Sequence, residues 1–399
     1  MSRPSGMQFG LFIPPIHYPE QNPTRAIRRD IELIQHAESL GFSEAWVGEH
    51  HSSGHEIIGP NDLVIAAAVE RTSRIRLGTG VVSLAYHHPF HVAERAIMLD
   101  HLSMGRTMLG VGPGSFPSDA AMLGIPWSET RRRMVEAFEV IDRLLTSDEP
   151  LTHRTDWFTL EDAYLQLRPY SERIETAFTA MESPFGPTLA GQHGGGLISL
   201  SGLSAKGYAA LGQHWAVVEE QAARHGRTAD RADWRIATLI HVAETREKAK
   251  EEVARGLPRY VRYTGMVGER TIEAFEPDPD APPSQAATEL DALVEGFAAT
   301  EIACIGTPDD AIAMIQKLVD VTGGFGTVLL FGGTDWAAQD ATHRSLELLA
   351  REVMPAFNGG SASLIRAMER SVATREVRNA ENRASVQEAQ AAYAAPTAT

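Results

Sequence analysis

Glu44-Ala45-Trp46-Val47, continuing into Gly48-Glu49-His50-His51, reads as a buried strand that runs straight into a carboxylate and two imidazoles. Such an ending puts titratable groups where the backbone leaves the core, the place where a barrel enzyme keeps its chemistry. Alone, the histidine pair reads equally well as satisfied loop residues. The segments around it decide what the pair means.

Strand and helix patterns alternate on both sides of this stretch. An apolar run, Phe9–Ile13, precedes a helical segment in which Asn22 can cap, Pro23 suits the first turn, and Ile27, Ile31 and Ile34 share a face up to Gly41. Strand candidates then recur at Ile75–Val82, Met108–Val111, Thr176–Met181, Leu197–Leu200, Arg235–Val242 and Thr327–Phe331, giving eight with the Trp46 run. Eight strands alternating with helices imply an α/β fold with a parallel sheet. Periodicity alone leaves an open doubly wound sheet as the alternative to a closed (β/α)8 TIM barrel. The barrel is expected over residues 1–357, with insertions near 150–170 and 244–301. Beyond it, residues 358–399 read as a polar helical tail whose end, Ala394–Thr399, has a disordered composition. Long departures from a compact fold often form lids, so residues 256–300 are expected to cover the site.

The composition is that of a soluble globular enzyme: 399 residues, 43% hydrophobic and 22% charged. A formal charge of −16, from 52 acidic and 36 basic residues, argues against a nucleic-acid or anionic-membrane partner. Cys304 is the single cysteine, which excludes an intramolecular disulfide and a multi-thiolate zinc site; it reads as a buried small residue. Met1–Met7 lacks the apolar core of a secretory signal and no segment has the length of a membrane span, so a cytoplasmic protein is expected.

Several stretches near strand ends can carry chemistry. Gly78-Thr79-Gly80-Val81 closes the third strand, and Gly110-Val111-Gly112-Pro113-Gly114 the fourth; glycine lets backbone approach a ligand closely, although an ordinary turn explains either run. Met181-Glu182-Ser183-Pro184-Phe185-Gly186-Pro187-Thr188 puts a hydroxyl and free amides at a helix start, an anion site. Within it, Ser183 and Gly186 are stronger candidates than Thr188, because two prolines remove donors. Phe12, His17, Tyr18, Phe116, Trp157, Tyr260 and Tyr263 are candidates for a substrate cavity. Arg131-Arg132-Arg133 reads as a solvated helix face. The scattered histidines match no metal motif, so no catalytic metal is expected.

In this order, Gly10-Leu11-Phe12, Gly41-Phe42 through Trp46 to Glu49-His50-His51, Leu77-Gly78-Thr79-Gly80-Val81 with His88-Pro89, and Leu99-Asp100 through Ser103-Met104-Gly105-Arg106 resemble the bacterial luciferase-like flavin monooxygenases. Val111 to Asp119 and Asp156-Trp157-Phe158 are most similar to the limonene and diketocamphane branch. The resemblance covers about residues 7–355. It implies a (β/α)8 barrel that uses reduced FMN supplied by a separate NAD(P)H-dependent flavin reductase. His50 would lie near the flavin–oxygen adduct with Glu49 beside it, and His51 in support. A cis peptide is implied at Gly80-Val81, with a tight trans strand end as the alternative, and Glu182-Ser183 resembles the phosphate loop. With Gly112 and Gly186, these make up the cofactor-binding set.

A flavin must carry oxygen chemistry that ordinary side chains cannot do. The expectation is therefore a two-component FMN-dependent monooxygenase acting with oxygen on a small hydrophobic molecule such as a cyclic terpene, and assembled as a homodimer. Baeyer–Villiger oxygenation of a cyclic ketone, deazaflavin-dependent hydride transfer, and a non-catalytic flavin-binding subunit are the alternatives.

Overall fold

The structure, a computed structural model, describes residues 6–14, 16–203, 205–267, 290–297, 303–332 and 335–394. Eight parallel strands close on themselves: β1 (Gln8–Ile13), β2 (Glu44–Val47), β3 (Arg76–Thr79), β4 (Thr107–Gly112), β5 (Glu175–Ala180), β6 (Gly196–Ser199), β7 (Trp234–Val242) and β8 (Thr327–Phe331). Each pairs with the next, and β8 returns to β1 through Gln8 opposite Thr327 and Phe12 opposite Phe331. Closure decides for the barrel over the open sheet. All eight strands fall where the apolar runs place them.

The first helix shows how local sequence sets these boundaries. Asn22 Oδ1 accepts the Arg25 N–H at 3.1 Å, Pro23 occupies the first turn, and the helix Pro23–Ser39 buries Ile31 and Ile34 against the barrel. Gly41 follows with φ of 90°, a left-handed value that ends the helix.

Inward-facing residues fill the barrel in layers. At the N-terminal end Arg235 makes a two-pronged pair with Glu44, at 2.8 and 3.1 Å, and reaches Glu175 at 2.6 Å; Arg76 then bonds Glu175 at 2.7 Å. Above this, Trp46 is fully buried, with the Arg235 guanidinium 5.0 Å from its ring centre. The indole fits because β3 carries glycine opposite it: a Cβ on Gly78 would stand 2.4 Å from Trp46 Cε3. At the C-terminal end the inward positions include Gly80, against Phe12, whose ring stacks on Phe331 with centres 5.5 Å apart, and Gly112, against Val81 and Thr179. Large residues thus plug the lower barrel, and the mouth combines aromatic rings with glycine backbone.

Other segments lie outside the barrel. Leu151–Arg154 and Thr159–Ala163 form the hairpin within the 150–170 excursion. Ala303–Gly306 adds a strand that pairs with the end of β7 and holds Cys304, buried, its thiol pushed up to about 12 by burial. Past Asn358 come helices Ala362–Ala373 and Arg375–Ala394, in which residues 363–393 are all exposed. Among the described residues no helix is long and apolar enough to cross a membrane.

Candidate active site

Extended backbone sends successive side chains to opposite sides, and past the end of β2 this separates Glu49 from His50. Glu49 turns to the outer side of the strands, toward Val82, Val92 and Leu99. Its Oε1 accepts from His51 Nε2 at 3.0 Å and from His87 Nε2 at 2.9 Å. Burial opposes the Glu49 charge, but the two imidazole bonds outweigh it and hold the carboxyl below its usual range. The bond to Glu49 raises His51 in turn. Donor atoms of these three residues lie within 4.8 Å of one another, a spacing a cation could use, which N–H···O bonds occupy here. Glu49 is therefore not beside the His50 ring, as the resemblance implied. It organises His51 and His87 behind the strands.

His50 faces the other way and meets different partners. Its Nδ1 lies 3.1 Å from Asp119 Oδ2, its Nε2 lies 3.2 Å from Glu56 Oε2, and Ser115 Oγ is 3.5 Å from Nε2. The ring stacks on Phe116 with centres 4.2 Å apart. Asp119 Oδ1 also accepts the Ser52 hydroxyl at 2.5 Å and the His51 N–H at 3.1 Å. Burial works against its charge, yet the bonds from His50, Ser52 and His51 keep Asp119 below the usual carboxylate range. An ionised carboxylate only accepts, so the hydrogen on Nδ1 belongs to His50.

The floor of the mouth is backbone. Gly80–Val81 is a cis peptide, which settles the alternative left open by sequence. Asn61, fully buried, donates from Nδ2 to Val47 O at 2.9 Å and to Val81 O at 3.2 Å, tying the ends of β2 and β3 together. Thr79 Oγ1 bridges to β4 by donating to Gly110 O and accepting from Gly110 N–H. Gly112 faces Val81 and Thr179, where a Cβ would stand 2.8 Å from Val81 Cγ2.

After β5, Glu182 and Ser183 are exposed ahead of the helix Phe185–His193. Gly186 is buried in its first turn, and a Cβ there would meet Thr179 O at 1.9 Å, so this glycine serves helix-to-strand packing. The Arg131 guanidinium lies 5.8 Å from the Phe185 ring centre, and among the described residues no carboxylate pairs with it. Arg132 behaves as a solvated face predicts, pairing with Glu129, Glu136 and Asp156. Arg131 instead brings a cation to the start of this helix.

The substrate candidates divide. Phe12 and Phe116 stand at the mouth. His17 is buried instead, its Nε2 2.8 Å from Asp30 Oδ2 on the first helix without hydrogen-bond alignment; burial lowers the imidazole to about 4 and raises Asp30. Trp157 sits at the hairpin turn, donating to Glu136 at 2.7 Å and lying under Arg133, because its apolar ring covers the outer face of the helix Thr130–Thr146. Tyr260, Tyr18 and Tyr263 cluster on and beneath the helix Gly256–Val267, where Arg259 lies 3.8 Å over Tyr18 and Tyr260 packs on Trp336. Most of the expected cover, residues 268–289 and 298–300, lies outside the described residues.

Asp119, Glu56 and Asn61 are the site residues to which sequence reasoning gave no role, and Arg131 was read with its neighbours as a solvated face. Asp119 stood within the run of resemblance, so its signal was present. Glu56 carried none, because its approach to His50 depends on the loop folding back.

The chain belongs to the luciferase-like monooxygenase family, whose profile matches residues 7–323. It is an enzyme of that class, a flavin-dependent monooxygenase. Over 353 residues it is 46% identical to limonene 1,2-monooxygenase of Rhodococcus erythropolis, covering 88% of this chain and 87% of that one. Over 360 residues it is 45% identical to 4-hydroxyprotoasukamycin monooxygenase of Streptomyces nodosus subsp. asukaensis, covering 88% and 93%. The oxygenating constituent of 3,6-diketocamphane monooxygenase from Pseudomonas putida, a type II Baeyer–Villiger monooxygenase solved with FMN, superposes with a TM-score of 0.69 at 24% identity over 88% of this chain and 98% of that one, a likeness of fold.

Proposed function

We propose that this chain is the oxygenating component of a two-component system that takes reduced FMN from a separate NAD(P)H-dependent reductase and oxygenates a small hydrophobic cyclic molecule. The observation that carries this reading is the His50 ring, held by Asp119 and stacked on Phe116 beside a mouth whose inward positions include glycine. The residues present fit FMN. Ser183, the free amides of the helix start and Arg131 would receive a terminal phosphate, and Gly80-Val81 with Gly112 would let the ring lie close to backbone. When bound, the flavin supplies the activation of oxygen; the chain orients it, excludes water and handles protons through His50. The name of the limonene relative supports a cyclic terpene and oxygenation at an alkene. The relative named for 4-hydroxyprotoasukamycin, 45% identical, supports a different substrate. Reduced FMN with a panel of cyclic alkenes and ketones, read by mass spectrometry, tests this: epoxide or hydroxylated product supports the proposal, and lactone product alone would replace it with Baeyer–Villiger chemistry.

Ser183→Asp is expected to weaken reduced-FMN binding at least tenfold, because a like charge beside the phosphate costs about 1.4 kcal/mol or more. Anaerobic titration measures it, and wild-type affinity in the variant would move the phosphate elsewhere. A homodimer is supported by Leu63, Met98 and Leu102, exposed at 66%, 52% and 47% on neighbouring helices. Met98→Glu with Leu102→Glu should halve the mass found by light scattering, and a wild-type monomer would reject the dimer.

A further inference from the structure

His50 has a carboxylate at each ring nitrogen, and the two are unlike. Asp119 is tied down by the Ser52 hydroxyl and the His51 N–H, and takes the hydrogen of Nδ1. Glu56 stands 3.2 Å from Nε2, nearly buried, yet its Oε2 has no aligned hydrogen bond. The loop after β2 holds it there: His50 N–H donates to Ile58 O at 3.0 Å, Glu56 N–H donates to Ser53 Oγ at 3.3 Å, and Glu56 forms a backbone bridge with Ile16. With Nδ1 committed to Asp119, Nε2 is the nitrogen whose proton can change hands.

We infer that Glu56 and His50 Nε2 share one exchangeable proton, and that Glu56 is the positioning residue and reservoir that reloads His50 after it gives a proton to the oxygen chemistry. The inference rests on the placement of His50 at the flavin. In the reloading step the Glu56 O–H bond breaks and the Nε2–H bond forms, leaving a carboxylate facing an imidazolium; solvent later returns the proton to the carboxylate. Burial pushes Glu56 up to about 7, against the attraction of His50 and with the repulsion of Asp119, so the acid can give or take a proton near neutrality. The other titratable groups around it keep one charge in that range. Tyr260, on the helix Gly256–Val267, is raised by burial and stays neutral. His55 on the same loop and His17 beside Ile16 are lowered by burial and also stay neutral. Asp119 stays ionised.

The sign follows from the raised acid: the reservoir is loaded below about pH 7 and empty above it. The fraction of turnover that yields product should therefore fall as pH rises through that value. Nuclear magnetic resonance of flavin-free, 15N-histidine-labelled enzyme gives a test independent of flavin binding. The His50 ring signals should respond as Glu56 titrates near pH 7, and Glu56→Gln should change that response. Glu56→Asp, which keeps the acid but withdraws it by one methylene, should shrink the response and serves if the glutamine variant does not fold. In turnover, Glu56→Gln should lose the pH dependence of product yield. An unchanged response in the His50 signals of a folded Glu56→Gln or Glu56→Asp enzyme would overturn the inference. Failure to bind reduced FMN would instead overturn the flavin reading and leave the resonance result standing.

Discussion

His50→Ala is expected to cut product formation by about 10²–10⁴-fold while the protein stays folded and keeps most of its affinity for reduced FMN. The ring touches Phe116 and two carboxylates, and its removal leaves the proposed phosphate site around Ser183 and Arg131 untouched. Flavin oxidation should continue, with more of the oxygen leaving as hydrogen peroxide. Parallel assays of product and peroxide separate this from a general loss of activity. Wild-type product yield in the folded variant would remove His50 from the chemistry. Truncating Glu49, by contrast, should act through His51 and His87, because its carboxylate bonds those rings and not His50.

The second large effect lies at the other end of the barrel. Arg235→Met should lower the unfolding free energy by about 3–5 kcal/mol, because it leaves Glu44 buried without its two-pronged partner. Removing the orphaned charge as well, by Glu44→Gln, should restore part of the loss, and a double-mutant cycle in denaturant reads the coupling. The product-to-peroxide ratio should not change, since Arg235 is separated from the mouth by the Trp46 layer. A loss below about 1 kcal/mol would mean that this network contributes little net stability.

The barrel was legible because its strands are buried on both faces and so read as short apolar runs; β7 and β8 show this as clearly as β2. Closure was not legible, since it depends on β8 finding β1 across more than three hundred residues of chain. His50 could be read as the titratable group at a strand end, and Phe116 as an aromatic at the mouth. The partners of His50 could not. Asp119 arrives from a short helix after β4 and Glu56 from a loop that doubles back, and neither spacing carries a periodic signal. His17 and Trp157 misled for a common reason. An aromatic or imidazole ring has an apolar body that packs well without lining a cavity, His17 against the first helix and Trp157 against the outer face of Thr130–Thr146.

Arg131 shows the limit of reading charge runs as units. Three consecutive arginines on a helix point in three directions, and only their surroundings distinguish them: Arg132 among carboxylates, Arg133 over Trp157, and Arg131 toward Phe185 at the helix start after β5. The same holds for Glu49, His50 and His51, where one step along the chain changes which side of the strands a group serves.

The central claim is that the chain uses reduced flavin to place one atom of molecular oxygen in its substrate. A single turnover with pre-reduced FMN, a cyclic alkene and 18O2, followed by mass spectrometry, tests it most directly. The account predicts product carrying one 18O atom and no product without oxygen; product formed anaerobically, or product free of 18O, would contradict it.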